Sequence, residues 1–283
     1  MNHNQTVIVR LVGGLGNQLF QLQFGQTFSK LNSSKMLVDD SFLQASRKSH
    51  EVLSCDSLLD ESEIVTLSKF HLRTRRCVER LFFKLDCTLP RCLGPMYIFE
   101  NERPLSFRSQ QFIIDGFWQD KKYLNKDFIE YVRIKMLNIQ HWGKNCSTSE
   151  VCVHVRRGDY LTNKNWFALA QSTVPVQYYL DAFEFMYSCK GLRKFHLYTD
   201  DEPWAQSVFG CDERVEIIKS SNFTSVELLT RMSQYYNYII ANSTLSWWAA
   251  VLSPFSSKVV VLPKQWSVKM NSDKYKLDGW VQI

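Results

Sequence analysis

An apolar run, Val151 to Val155 (VCVHV), leads directly into Arg156-Arg157-Gly158-Asp159. Together with His154, this places two guanidiniums, an imidazole and a carboxylate at the carboxyl end of a β-branched strand, where α/β sheets bind ligands. Planar arginine forks match phosphate oxygens. Neighbouring strand residues face opposite ways, so one arginine is expected to meet a ligand while the other pairs with a carboxylate such as Asp159. A structural Arg–Asp network explains one arginine but not the whole group. The stretch reads as an anion grip.

A second group lies near the amino terminus. Gly13-Gly14-Leu15-Gly16-Asn17-Gln18 follows the apolar run Thr6 to Val12 and opens a helical pattern carrying Phe20, Phe24, Phe28 and Leu31. Glycines at such a turn let a ligand approach the backbone, and the first helical N–H groups point outward. No Gly-Lys-Ser/Thr follows, which excludes a Walker phosphate loop. Leu19 replaces the third glycine of the dinucleotide fingerprint. A tight turn needing positive φ explains the glycines equally well, but the two amides Asn17 and Gln18 shift the balance toward sugar or phosphate binding.

Tyr198-Thr199-Asp200-Asp201 closes a further strand. Its carboxylates suit the N1 and N2 donors of guanine or a divalent metal; alternatively Asp201 caps the helix beginning near Pro203. Thr224-Ser225-Val226-Glu227 fits a capping box, so Glu227 reads as a cap rather than a catalyst. Ser243, Thr244 and Ser246 gather hydroxyls where a strand meets a new helix, a source of donors for an anion. Simple capping is the structural alternative there, and Trp247 and Trp248 read as core.

These groups need elements to hold them. Val38 to Asp40 ends a second strand, Phe112 to Phe117 forms another, and Tyr123 to Leu137 reads as a helix. Residues 41–100 are charged, leucine-punctuated and read as helical, with a break near Pro90, Gly94 and Pro95. The polar stretch Gly143 to Glu150 marks a boundary between an N-terminal domain, 1–147, and a C-terminal domain, 148–283, whose last residues could pack back on the first. Val151–Val155, Phe195–Thr199, Val215–Ile218, Tyr238–Ala241 and Val259–Leu262 alternate with helical patterns. Crossover connections and parallel sheets follow, and with them two α/β domains flanking a cleft.

The 283 residues are 45% hydrophobic and 22% charged, ordinary for a folded chain of two domains. A net charge of +6 favours an anionic ligand or surface; no nucleic-acid partner is expected. Arg73 to Lys84 has the pattern of a basic amphipathic helix able to lie on anionic lipid, although a solvated helix face is the commoner cause. The cysteines show no zinc-ligand spacing. The polar amino terminus lacks signal-peptide character, and no apolar run reaches the ~18 residues of a membrane span. Reduced thiols and a cytoplasmic location follow as expectations, with peripheral contact at the inner face of a membrane left open.

GGLGNQLFQ near the amino terminus, GFWQDKKYL from Gly116 to Leu124, HVRRGDY in the middle and IIANSTLSWWAA toward the end stand in family order. Over most of its length the chain resembles the α-1,2-fucosyltransferases of glycosyltransferase family 11. The resemblance implies an α/β, GT-B-like fold of two Rossmann-type domains facing a central cleft, the C-terminal one holding GDP. It implies metal-independent, inverting transfer of L-fucose from GDP-β-L-fucose to the 2-hydroxyl of a terminal galactose. GDP-fucose is then a substrate, no cofactor is needed, and the acceptor is a galactose-terminated glycan, free or lipid-linked.

Carried over by motif, Arg156 holds the β-phosphate with His154 beside the nucleotide, Asp200 recognises guanine, and Ser243, Thr244 and Ser246 line the diphosphate. Arg157 and Asp159 hold the loop. Gly14, Gly16 and Asn17 approach the diphosphate and fucose from the other domain, which makes Arg156 and Asn17 the expected catalytic pair. Asp115, Trp118 and Gln119 fall on the acceptor side. The chain departs from the family at Leu228–Ser233, where relatives carry an aspartate, and at Tyr235, where they carry a cysteine; Glu227 is the nearest acid. Asp159, Asp115 and Asp120 are candidate bases, and a dissociative route needing little base help is the alternative. Three rivals stand beside this reading: a metal-dependent transferase using Asp200 and Asp201, a non-catalytic nucleotide-sugar-binding protein, and a protein O-fucosyltransferase-like enzyme.

Overall fold

The computed structural model describes residues 5–45, 64–65, 96–99, 111–137, 148–162, 173–268 and 270–283. The chain forms two compact units, Met1–Gln119 with Tyr123–Phe128, and Asp120–Lys122 with Ile129–Ile283.

The first unit is built on β1 (Thr6–Arg10), α1 (Leu15–Leu31), β2 (Lys35–Asp39), α2 (Ser41–Ala45), β3 (Ile64–Val65), β4 (Met96–Phe99) and β5 (Gln111–Asp115). Its five strands run in the order β3-β2-β1-β5-β4, all pairings parallel. Val7, Ile8 and Val9 are buried, as a central parallel strand covered on both faces requires. The described parts of 41–100 correct the helical expectation in two places, because β3 and β4 are strands. The basic stretch Arg73 to Lys84 lies outside the described residues. Strand order reverses between β1 and β5, so the loops leaving their carboxyl ends diverge and open a crevice.

A buried ion cluster closes that end of the sheet. Arg10 donates to Asp39 at 3.4 Å and to Asp115 at 3.0 Å, joining the ends of β1, β2 and β5. Buried charges persist when paired in this way.

Helix α3 (Lys126–Leu137) has residues in both units. The second unit continues with β6 (Glu150–Val155), α4 (Gly158–Thr162), α5 (Val176–Lys190), β7 (Lys194–Thr199), α6 (Glu202–Phe209), β8 (Val215–Lys219), α7 (Ser225–Met232), β9 (Asn237–Ile239), α8 (Thr244–Leu252) and β10 (Val259–Leu262). The short antiparallel pair β11 (Gln265–Ser267) and β12 (Met270–Asn271) and the strand β13 (Val281–Gln282) follow. The main sheet is parallel, in the order β13-β10-β9-β6-β7-β8. Its order reverses between β6 and β9. Val151, Val153 and Val155 pack with Tyr179, Phe183, Phe195 and Phe209 in one apolar cluster, and alternation sends Cys152 and His154 to the opposite face.

The last turn of α8 is held by cations. Arg133 donates to the carbonyls of Leu252 at 2.9 Å, Ser253 at 2.7 Å and Val251 at 3.3 Å, and Lys258 donates to Ser253 at 3.0 Å. Positive charge belongs at this end of a helix. Burial, helped by the neighbouring Arg133, lowers the Lys258 pKa to about 8. Among the described residues no helix is long and apolar enough to cross a membrane.

Candidate functional site

The residues read from the sequence as an anion grip stand at the carboxyl ends of β6 and β7. Their register pairs His154 with Tyr198 and Val155 with Thr199, and the same offset continues past the strands. Arg156 therefore meets Asp200, Nη1 to Oδ2 at 2.8 Å, and Arg157 meets Asp201, Nε to Oδ2 at 3.1 Å. Both arginines are carboxylate-paired, Arg157 with Asp201; the Asp159 side chain, named from the sequence as an example of such a carboxylate, lies outside the described side chains. Asp200 also accepts the Arg157 backbone N–H at 2.8 Å. A Cβ on Gly158 would lie 3.0 Å from Asp200 Oδ2, which is why a glycine follows the arginine pair.

The two arginines differ in their surroundings. Arg157 lies 3.9 Å from the centroid of the Trp204 ring, a cation–π contact. Asp201 caps α6 by accepting from the Trp204 N–H at 3.3 Å. Arg156 is the more exposed of the two at 31% against 17%. Beside them His154 is buried, and its Nδ1 has no hydrogen-bond partner among the described residues. Such atoms normally have one. Burial lowers the His154 pKa to about 4; Asp200 opposes that shift and Arg156 adds to it. The imidazole is neutral at pH 7.

Across the strand reversal stands the start of α8. Ser243 occupies the cap position, yet its side chain makes no capping hydrogen bond. The simple-cap alternative therefore does not describe it. The buried Ser246 hydroxyl donates to the Ser243 carbonyl at 3.2 Å, and Thr244 is the first helical residue. Tyr160 links this corner to the arginine loop, its hydroxyl donating to the Asn242 carbonyl at 3.2 Å. Trp247 and Trp248 are fully buried.

In the first unit, Gly13 sits at φ 78° and Gly14 begins α1, accepting the Asn17 N–H at 2.9 Å. A Cβ on Gly14 would meet nothing within 4 Å, while Gly16 is buried in the helix start. The Asn17 side chain is held by Gln119, whose Nε2 donates to Asn17 Oδ1 at 2.9 Å. Trp118 is buried, its ring stacked on Phe24 at 3.6 Å. Asp115 is the buried partner of Arg10. In the second unit, Asp120 accepts the Lys122 backbone N–H at 2.9 Å and pairs with its ammonium at 3.5 Å.

Glu227 completes a capping box with Thr224, as its spacing indicates. Tyr235 joins a polar chain, its hydroxyl 2.7 Å from His196 Nδ1 and 3.0 Å from the Tyr198 hydroxyl. The roles of Tyr160, Trp204, Arg10 and Arg133 were not anticipated. Each acts through a contact between distant parts of the chain that no local spacing encodes. Among the described residues no group of three or more His, Cys, Asp or Glu side chains is arranged to hold a metal ion.

Comparison with known proteins places this geometry. The chain is 26% identical to the O-antigen biosynthesis glycosyltransferase WbnK of Escherichia coli, covering 96% of this chain and 99% of the relative. It is 27% identical to an α-1,2-colitosyltransferase of Escherichia coli over 98% of each chain. In fold it resembles a mutant of FUT1 of Arabidopsis thaliana in complex with GDP, with a TM-score of 0.53, 13% identity, and coverage of 88% of this chain and 68% of that one. That likeness and the two parallel sheets make this an α/β fold of the GT-B kind. The model of glycosyl transferase family 11 matches residues 100–283, and the chain belongs to that family.

Proposed function

We propose that this chain is an inverting galactoside α-1,2-fucosyltransferase that moves L-fucose from GDP-β-L-fucose without a metal ion. The observation that carries the reading is the pair of arginines set by strand register against Asp200 and Asp201, across the strand reversal from the uncapped start of α8, in a family 11 chain. Breaking the fucose–phosphate bond builds positive charge on the sugar and negative charge on GDP. Fixed donors aimed at the leaving oxygens strengthen as that charge grows. Arg156, set against Asp200 at 2.8 Å, holds the β-phosphate, for which a planar guanidinium is suited. The first N–H groups of α8 with Ser243 and Thr244 add neutral donors, and neutral His154 contacts the nucleotide. Arg157 and Asp159 hold the loop. Asn17, with Gly14 and Gly16 at its side, supplies an uncharged contact to the diphosphate and fucose.

Asp200 and Asp201 each neutralise an arginine, which supports the metal-free reading over one that uses them as ligands. Asp115 and Asp120 are ion-paired, which supports a loose transition state with little base assistance. Similarity to an O-antigen biosynthesis glycosyltransferase supports a glycan acceptor. Similarity to a colitosyltransferase favours one second reading, with colitose as the transferred sugar.

Incubation with GDP-fucose and a panel of galactosides, with and without EDTA, tests the proposal, and NMR of the product gives linkage and anomer. An α-1,2-fucosylated product that survives EDTA is expected. Abolition by EDTA would restore the metal reading, and tight GDP binding without turnover would make the chain a binding protein. Turnover only with a colitose donor would establish the second reading.

A further inference from the structure

We propose that a groove in the second unit, lined by Lys121, Lys276, Leu277, Asp278, Gly279 and Trp280, binds the acceptor's second sugar, next to its terminal galactose. The inference rests on the reading of this chain as a transferase that acts on a glycan and takes the donor diphosphate at the start of α8. The groove has a volume of about 570 Å³, within the roughly 300–1,000 Å³ of small-molecule sites.

Its wall is a fixed turn. The Leu277 carbonyl accepts the Trp280 N–H at 3.1 Å, with Gly279 at φ 80° in the third place, where such a turn favours glycine. Lys121 braces it. Its backbone N–H donates to the Lys274 carbonyl at 2.8 Å and its ammonium to the Lys276 carbonyl at 2.8 Å. Helix α8 supports the same turn: Trp247 Nε1 donates to the Tyr275 carbonyl at 2.7 Å, and the Trp247 and Trp280 rings lie 6.2 Å apart. Trp247 in turn donates its backbone N–H to the Ser243 carbonyl at 3.1 Å, so it stands one helical turn, roughly 6 Å along the axis, from the helix start.

The charges select the ligand. Lys276 brings an ammonium and Asp278 a carboxylate, and neither is ion-paired among the described residues. Asp278 repels an anion and Lys276 repels a cation. A sugar satisfies both, because a hydroxyl can donate to the carboxylate and accept from the ammonium. A Cβ on Gly279 would meet nothing within 4 Å, which leaves room over the turn.

Galactose-terminated oligosaccharides and methyl galactoside are the probes. In steady-state kinetics with GDP-fucose, Asp278→Ala and Lys276→Ala should each raise KM for the oligosaccharide about tenfold, the scale of one hydrogen bond to a charged group. The rise should vanish with methyl galactoside, which lacks the second sugar, and KM for GDP-fucose should not move. Asp278→Asn keeps an accepting oxygen and should recover part of the loss. An unchanged oligosaccharide KM in both Ala variants overturns the proposal, as does an equal rise with methyl galactoside. Should thermal unfolding show that Asp278→Ala does not fold, Lys276→Ala decides by the same KM.

Saturation-transfer NMR without donor separates this inference from the reading beneath it. Signal on the second sugar that Asp278→Ala abolishes supports the groove even where no fucose is transferred. Turnover of an oligosaccharide whose galactose alone receives signal overturns the groove and leaves the proposed function standing. Neither turnover nor signal with any galactoside overturns both.

Discussion

The two parallel sheets present two different corners at their points of strand reversal. In the second unit the charges stand at the rim: Arg156 and Arg157 are 31% and 17% exposed, each against a carboxylate from the next strand. In the first unit the charges are sunk, with Arg10, Asp39 and Asp115 at 6%, 0% and 10% side-chain exposure, while the amides of Asn17 and Gln119 are partly exposed. The same topology thus yields one corner with its charges at the rim and one with its charges buried. Buried pairs contribute uniqueness more than net stability, whereas half-exposed pairs leave a guanidinium able to exchange partners.

The sharpest way to break this contrast is at Arg10. Arg10→Ala leaves two buried carboxylates without their cation and should destabilise the protein by about 3–5 kcal/mol, read from urea unfolding. Turnover per folded molecule should persist; loss of turnover at unchanged stability would make the buried charge catalytic. Arg156→Ala should behave in the opposite way, losing about 10²–10³ in kcat with a small change in stability. Near-normal turnover would remove Arg156 from the chemistry.

His154 sharpens the comparison through pH. Its folded pKa of about 4 lies below the ordinary 6.5, so the unfolded chain binds more protons between those values. Stability is fully present above pH 6.5 and falls as pH drops through that window, by about 2 kcal/mol between pH 7 and 5. Urea midpoints at the two pH values should converge in His154→Gln. Thr224→Ala provides the baseline outside both corners: losing the capping box should reduce stability by about 1 kcal/mol, with kcat unchanged.

Local chemistry was legible wherever periodicity or capping carried it. Strand β10 has the bounds its apolar run suggests, and the Thr224–Glu227 box forms as spaced. Helix α3 begins later than its periodicity indicates because Asn125 accepts the Asp127 N–H at 2.9 Å and turns the chain first. Pairings across strands were hidden. The carboxylate named for the arginine pair was the neighbouring Asp159, and the Asp201 that the β6–β7 register delivers to Arg157 from 44 residues away was not foreseen. Register is set by how two faces pack, and a single chain does not display it. The amide pair was hidden for the same reason: Asn17 and Gln119 lie 102 residues apart, and a backbone turn at Trp118 brings them together.

Arg133 makes α8 a lever. Nine residues span about 13 Å, with the fulcrum at the carbonyls that Arg133 grips and the working tip at Ser243 and Thr244. A slack of about 10° at the fulcrum would swing the tip by about 2 Å, more than a donor aimed at a leaving oxygen tolerates. A change at residue 133, at the far end of α8, would therefore present in kinetics as a defect of the donor contacts proposed for Ser243 and Thr244.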